Sequence, residues 1–321
     1  MVVKKVVGVF SACSSFDDYA VERELFKGRD IEIVGIGTAD EFVAKRRDFN
    51  ALILTNAKLT KDVMADMPAC EVICRHGQGF DNIDVPSATE LGIRVCNVPG
   101  FNTEEVSDHA LAFALMLGRN IPFYDHAVSV DHVWSFNSYP ANVKISEMTL
   151  ALLGFGRISR RFAEKAKPLF GRVIAYDPYM DAGAAKEIGV EVCEDMDSLL
   201  KDADILSIHV PLSKETFHLV SAEKLALMKP RAYLINCARG SLVDNAALND
   251  ALESGRLAGA AVDVVEPEPS PKEHVLYDQK MCVVTPHVAW YTSTAIRRMR
   301  TEAAQSALAV FDGQEPGGCV N

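Results

Sequence analysis

A chain of 321 residues has room for two globular domains, and 49% hydrophobic with 24% charged residues excludes wholesale disorder. The formal net charge of −11 argues against duplex DNA or an anionic membrane as partner, because both reward basic surface. No apolar run reaches transmembrane length.

The opening "MVVKKVVGVFSACSS" superficially resembles a secretion signal, but Val6–Phe10 is far shorter than the apolar core such a signal needs. Val2–Val3 and Val6–Phe10 read instead as a first buried strand. Further strands are expected at Ile31–Val34, Ala51–Leu54, Glu71–Arg75 and Arg94–Cys96, with amphipathic stretches such as Ala39–Arg47 and Lys61–Met67 between them. This alternation implies a parallel sheet with helices on both faces. A helix over Glu104–Leu117 follows the Pro99-Gly100 break, and Ile121–Glu147 reads as an irregular arm that packs on a second subunit. A second α/β series has strands at Thr149–Leu153, Arg172–Tyr176, Glu191–Cys193, Ile205–His209, Ala232–Asn236, Gly259–Val262 and Met281–Thr285. It closes on an amphipathic helix, Ser293–Phe311.

The eight cysteines include no C-x-x-C pair. Cys70 and Cys74 fall four apart on an expected strand without His or Cys partners, so no metal site is expected. Scattered cysteines fit a reducing cytosol.

The stretch "TLALLGFGRISRRFAEKAK" places Gly154 and Gly156 between a buried strand and a helix expected over Arg157–Leu169. The next strand ends at Asp177, 21 residues after Gly156. That is the dinucleotide-binding arrangement. Gly154 permits the turn and Gly156 lets backbone approach a pyrophosphate. The helix start at Arg157 and Ile158 offers unpaired N–H groups and a positive dipole. Asp177 would accept the ribose hydroxyls and repel a 2′-phosphate, which favours NAD over NADP. Ser159 stands where the third glycine of the fingerprint is expected.

Four further segments put polar residues directly after strands: "SIHVPLSKET", "INCARGSLVD", "AVDVVEPEP" and "TPHVAWYT". Together they hold Arg239, Glu268 and His287, the parts needed to reduce a 2-keto acid. An arginine grips a carboxylate with a planar fork, a histidine protonates the carbonyl oxygen, and a carboxylate orients the imidazole.

The order of "RHGQGFDNID", "GIRVCNVPG", "TEEVSDHAL", the GFGRIS turn, "MKPRAYLINCARGSLVD", "DVVEPEP" and "TPHVAWYT" resembles the D-isomer-specific 2-hydroxyacid dehydrogenase family over nearly the whole chain. The resemblance implies an α/β fold of two Rossmann-like or flavodoxin-like domains, doubly wound parallel sheets with a cleft between them. Residues 1–101 plus 290–321 would form the substrate domain. Residues 102–289 would form the NAD-binding domain, with a dimerisation arm around 121–147. It also implies that Arg239 binds the substrate carboxyl and carbonyl, His287 is the acid/base and Glu268 its partner. Asp263 would face the nicotinamide carboxamide, while His209, Pro211, Thr216, Cys237 and Ala238 would line NAD(H). Arg75, His76, Gly77 and Gln78 would form the substrate-carboxylate loop, with His76 as a polar edge and Trp290 as an apolar wall.

Arg75 and "AWYT" look most like the branch containing the C-terminal-binding-protein corepressors and their bacterial enzyme relatives. Glu268 departs from the glutamine of the formate dehydrogenases of this superfamily. Long phosphoglycerate dehydrogenases carry a further regulatory domain, which the short forms lack. Ser159, the "SEMT" before the nucleotide strand and His76 depart from the usual pattern. The expected function is an NAD-dependent reductase acting on a small 2-keto acid or its D-2-hydroxy acid, cytoplasmic and homodimeric. The alternative is an NAD(H)-binding regulatory protein that recruits peptide partners.

Overall fold

The computed structural model describes residues 4–10 and 18–321, so the expectations at Val2–Val3 and Cys13 lie outside the described residues. The chain divides into two compact units, Met1–Phe101 with Thr292–Asn321, and Asn102–Tyr291.

In the first unit, among the described residues, the strands are β1 Lys5–Phe10, β2 Ile31–Ile36, β3 Ala51–Leu54, β4 Val72–Arg75 and β5 Arg94–Cys96. They pair in parallel in the order β2-β1-β3-β4-β5. A sheet covered on both faces needs continuous apolar strands, and β3, with sequence ALIL, is buried at every position. Each such leucine or isoleucine contributes about 1.5–3 kcal/mol on leaving water. Thr292 caps the Ser293–Phe311 helix by accepting the Ala295 N–H at 3.1 Å. Arg300 on that helix is buried and reaches Glu22 Oε1 at 3.0 Å, Glu22 Oε2 at 2.5 Å and Asp18 Oδ1 at 3.2 Å. The paired charges fix this helix against the Ala20–Leu25 helix, since parting them would strand a buried guanidinium.

In the second unit, among the described residues, the strands are β6 Thr149–Leu153, β7 Arg172–Tyr176, β8 Glu191–Val192, β9 Ile205–Ile208, β10 Ala232–Asn236, β11 Leu257–Val262 and β12 Cys282–Val284. Their parallel order is β12-β11-β10-β9-β6-β7-β8. Successive strands build outward from β6 in one direction and then, from β9, in the other. This leaves a topological switch point between β6 and β9, where open α/β sheets take ligands.

Several expectations change. Ile121–Glu147 is not irregular throughout, because it begins with the helix Ile121–Ser129. Pro122 in the first turn presets a helical φ, and Phe123 and Ala127, one turn apart, bury the same face. Short 3₁₀ turns follow at Phe136–Ser138 and Ile145–Glu147. The helix after Gly156 ends at Ala166 rather than Leu169. Cys70 lies before β4, off the strand that carries Cys74. Short helices such as Val85–Glu90, Met196–Asp202 and Asn245–Glu253 had no sequence expectation. Each is marked by an Asp cap, at Asp84, Asp195 and Asp244, that accepts N–H groups of the first turn.

Candidate active site

The turn after β6 sets the geometry of the second unit. Gly154 has φ +92°, and a Cβ there would lie 2.8 Å from the His209 backbone. Only glycine fits, because the close approach brings the β6 and β9 loops together. Gly156 is different. A Cβ there would meet no atom within 4 Å, so the backbone at the start of the Arg157–Ala166 helix faces open space. That empty cradle beside unpaired first-turn N–H groups fits a pyrophosphate. Arg157 is exposed and Ile158 half-buried at this helix start. Ser159 is fully buried, so the third fingerprint position packs rather than meeting a ligand.

Asp177 follows β7. Its Oδ2 accepts the Phe155 N–H at 2.8 Å and its Oδ1 the Tyr179 N–H at 2.8 Å. The carboxylate therefore braces the glycine turn from across the sheet, and each oxygen keeps a second lone-pair direction suited to a ribose hydroxyl.

The loops after β9 and β10 carry the other expected cofactor residues. His209 Nε2 lies 2.9 Å from Ser207 Oγ, and burial lowers its pKa to about 4, so the ring is neutral near pH 7. Thr216 Oγ1 donates to the Pro211 carbonyl at 2.8 Å and accepts the Ser213 N–H at 2.7 Å, which folds the 211–216 loop on itself. Asn236 accepts the Ala238 N–H at 3.0 Å and donates to the Arg239 carbonyl at 2.8 Å, clamping Cys237–Arg239. Burial pushes the Cys237 thiol well above its ordinary range, so it behaves as a small apolar group and not as a nucleophile. Arg239 Nη1 donates to the Ala238 carbonyl at 2.8 Å.

Asp263, at the end of β11, is 1% exposed. Its Oδ1 accepts Thr285 Oγ1 at 2.5 Å and the Val288 N–H at 2.9 Å, and its Oδ2 accepts the Ala289 N–H at 2.8 Å. Its carbonyl takes the His287 N–H at 2.7 Å. Asp263, expected beside the cofactor, pins the loop that carries His287. That loop needs pinning. His287 has φ +54°, a left-handed conformation that costs about 1–3 kcal/mol for a residue with a side chain. So held, His287 Nδ1 lies 2.8 Å from Glu268 Oε2, while Glu268 Oε1 accepts the Val265 N–H at 3.3 Å.

Arg239, Glu268 and His287 therefore follow the carboxyl ends of β10, β11 and β12, three neighbouring strands of one sheet. Sequence reasoning missed a second pair in the same loops, His218 Nε2 to Glu266 Oε2 at 2.8 Å. The signal was the paired glutamates of "EPEP", of which only Glu268 was chosen. Trp290 is half-buried with its ring edge-on to Tyr291, 5.3 Å between centroids.

The expected carboxylate loop belongs to the first unit. Arg75 closes β4 and its Nη1 donates to the His76 carbonyl. The Gly77 carbonyl accepts the Val98 N–H at 2.9 Å, and the Gln78 carbonyl accepts Asn97 Nδ2 at 2.6 Å. His76 is corrected by the structure. Its side chain is 1% exposed, and burial, with Arg75 and Arg300 nearby, lowers its pKa to about 3. A neutral ring inside the unit is not the polar edge expected from sequence.

Residues 111–289 match the model of the D-isomer-specific 2-hydroxyacid dehydrogenase NAD-binding domain, which makes NAD(H) the cofactor. The chain is 37% identical over 286 residues to a glyoxylate reductase of Thermofilum pendens, covering 88% of this chain and 84% of that protein. It is 35% identical over 293 residues to a D-3-phosphoglycerate dehydrogenase of Methanocaldococcus jannaschii, covering 91% of this chain but 55% of that protein. The chain thus spans about half the length of that relative. A D-lactate dehydrogenase from Aquifex aeolicus, solved with NAD and lactic acid, superposes with a TM-score of 0.85 at 28% identity, over 95% of this chain and 96% of that one. With the glycine turn, the strand-end acid and the His–Glu pair in one α/β unit, the chain belongs to the D-isomer-specific 2-hydroxyacid dehydrogenase family.

Proposed function

We propose that the protein is an NADH-dependent reductase of a small 2-keto acid, giving the D-2-hydroxy acid, and works as a cytoplasmic homodimer. The carrying observation is the 2.8 Å contact between Glu268 Oε2 and His287 Nδ1 on a loop pinned by buried Asp263. With Nδ1 engaged by the carboxylate, Nε2 is the nitrogen that gives a proton to the substrate carbonyl oxygen. Arg239 grips the carboxyl and carbonyl oxygens with its planar fork and withdraws charge from the carbonyl. Gly154, Gly156 and the first turn at Arg157 and Ile158 hold the pyrophosphate, Asp177 the adenosine ribose, and the 209–216 and 237–238 loops the remainder. Bound NADH supplies the hydride.

The named relatives include glyoxylate reductases and D-3-phosphoglycerate dehydrogenases, which favours an enzyme over an NAD(H)-binding regulator. No helix among the described residues is long and apolar enough to cross a membrane. The homodimer rests on the arm, where Trp134 is 90% and Phe136 85% exposed, surface that a monomer would leave in water. A screen of NADH oxidation across glyoxylate, hydroxypyruvate, pyruvate and longer 2-keto acids tests the reading. Tight NADH binding without turnover on any of them would favour the regulator.

A further inference from the structure

Cys96 and Cys319 meet across a short antiparallel pairing in the first unit. The Asn97 N–H donates to the Gly318 carbonyl at 2.9 Å, and the Val320 N–H donates to the Val95 carbonyl at 2.9 Å. These two bonds flank the cysteines, so Cys96 and Cys319 form a non-hydrogen-bonded pair. In such pairs the Cα atoms lie about 4.5 Å apart and the side chains come closest. That spacing falls within the ~4.4–6.8 Å that a disulfide spans.

Two further observations set the chemistry. Cys74 is the register partner of Cys96 on β4, so three thiols stand in a row across β4, β5 and the 317–321 segment. Arg94 Nη1 lies 3.7 Å from Cys319 Sγ, and Glu315 Oε2 and Oε1 hold the same guanidinium at 2.8 and 3.0 Å. The Cys74 thiol, then Cys319 and Arg94, hold Cys96 below the ordinary thiol range against the opposing effect of burial. Cys319 is partly exposed, whereas Cys96 is 1% exposed. Among the described residues no group of three His, Cys, Asp or Glu is placed to hold a metal ion, so the row offers thiol chemistry and not a metal centre.

We propose that Cys319 and Cys96 form a redox modification site, which hydrogen peroxide converts to a disulfide that staples residues 317–321 onto β5. The Cys319 thiolate attacks one peroxide oxygen, forming S–O as O–O breaks, and hydroxide leaves to become water. Cys96 sulfur then attacks Cys319 sulfur, forming S–S as S–O breaks, and the departing hydroxide takes up the Cys96 proton as a second water. Two thiols are oxidised and one peroxide is reduced. Cys96 is the receiving partner because it is shielded from peroxide but faces Cys319. The staple lies next to Asn97, whose side chain holds the Gln78 carbonyl, so oxidation stiffens the anchor of the 76–78 loop.

The test uses the full reduced chain, treated with hydrogen peroxide and then quenched with a thiol-alkylating reagent. Digestion without reductant should yield one peptide joining Cys96 to Cys319, reversed by dithiothreitol, with two of the eight thiols lost. Amide exchange at Asn97 and Val320 should slow in the oxidised protein. Cys319→Ser, a change at a partly exposed position, should abolish the cross-link and retain every remaining thiol, and Cys319→Ala should behave the same. Retention of all eight thiols, a Cys74–Cys96 cross-link, or a cross-link that survives Cys319→Ser would overturn the proposal.

Discussion

Glu268 Oε2 and His287 Nδ1 lie 2.8 Å apart although the residues are 19 positions apart in sequence and follow different strands. The contact exists because Asp263 fixes His287 in a left-handed conformation that its backbone would otherwise leave.

On the proposed reading this pair carries the proton step. Reduction consumes a proton that His287 delivers, and oxidation of the hydroxy acid returns it. Glu268→Gln keeps the side-chain volume but removes the carboxylate that Nδ1 contacts, and should lower kcat by ~10-fold or more in both directions. His287→Gln should cost about 10²–10⁴-fold in kcat while NADH binding persists. Steady-state rates in both directions and an NADH titration check this. A Glu268→Gln variant with wild-type kcat would count against the dyad.

The two glycines of the turn should separate stability from binding. Gly154→Ala places a Cβ against the His209 backbone at positive φ and should cost about 2 kcal/mol of unfolding free energy. Gly156→Ala adds a Cβ that meets no atom within 4 Å and should leave stability within ~1 kcal/mol of wild type. It should nonetheless weaken NADH binding at least ~10-fold by filling the cradle. Urea denaturation and NADH fluorescence titration measure the two effects.

Cofactor choice should follow Asp177. NADH should be preferred to NADPH by at least ~10-fold in kcat/KM, about 1.4 kcal/mol, and Asp177→Ala should narrow the gap. Because Asp177 also holds the Phe155 N–H, the variant should lose some NADH affinity as well. Equal use of both cofactors by the wild type would remove Asp177 from the ribose.

His76 makes the first unit sensitive to acid. Its folded pKa of about 3 lies below the ordinary value of 6.5, so the unfolded chain binds the proton first. Its contribution is fully present above pH 6.5 and is lost as pH falls towards 3. Between pH 7 and pH 5 the loss should be about 2 kcal/mol, and His76→Gln should remove it. Denaturant midpoints at the two pH values decide the matter.

The arm should carry self-association. Trp134→Glu with Phe136→Glu, at side chains almost wholly exposed in one chain, should leave the fold intact and turn a dimer into a monomer. Sedimentation velocity at micromolar concentration reads the change. A wild-type monomer under the same conditions would contradict the dimer.

The sequence by itself determined where the strands run and which polar residues follow them. Runs such as Ala51–Leu54 and Ala232–Asn236 are buried on both faces, and an unbroken apolar stretch between turn residues announces that environment whatever surrounds it. Gly154, Asp177, Arg239, Glu268 and His287 were legible because their spacing from those strands is local information. What only the tertiary structure decided depends on partners far away in sequence. Ile121–Ser129 becomes a helix because Phe123 and Ala127 find a core to enter. Asp263 pins the His287 loop because β11 and β12 run side by side. His76 turns inward because burial in the first unit outweighs the cost of leaving its charge behind. Cys96 meets Cys319 because a segment 223 positions downstream returns to the edge of β5, a pairing that no local pattern encodes.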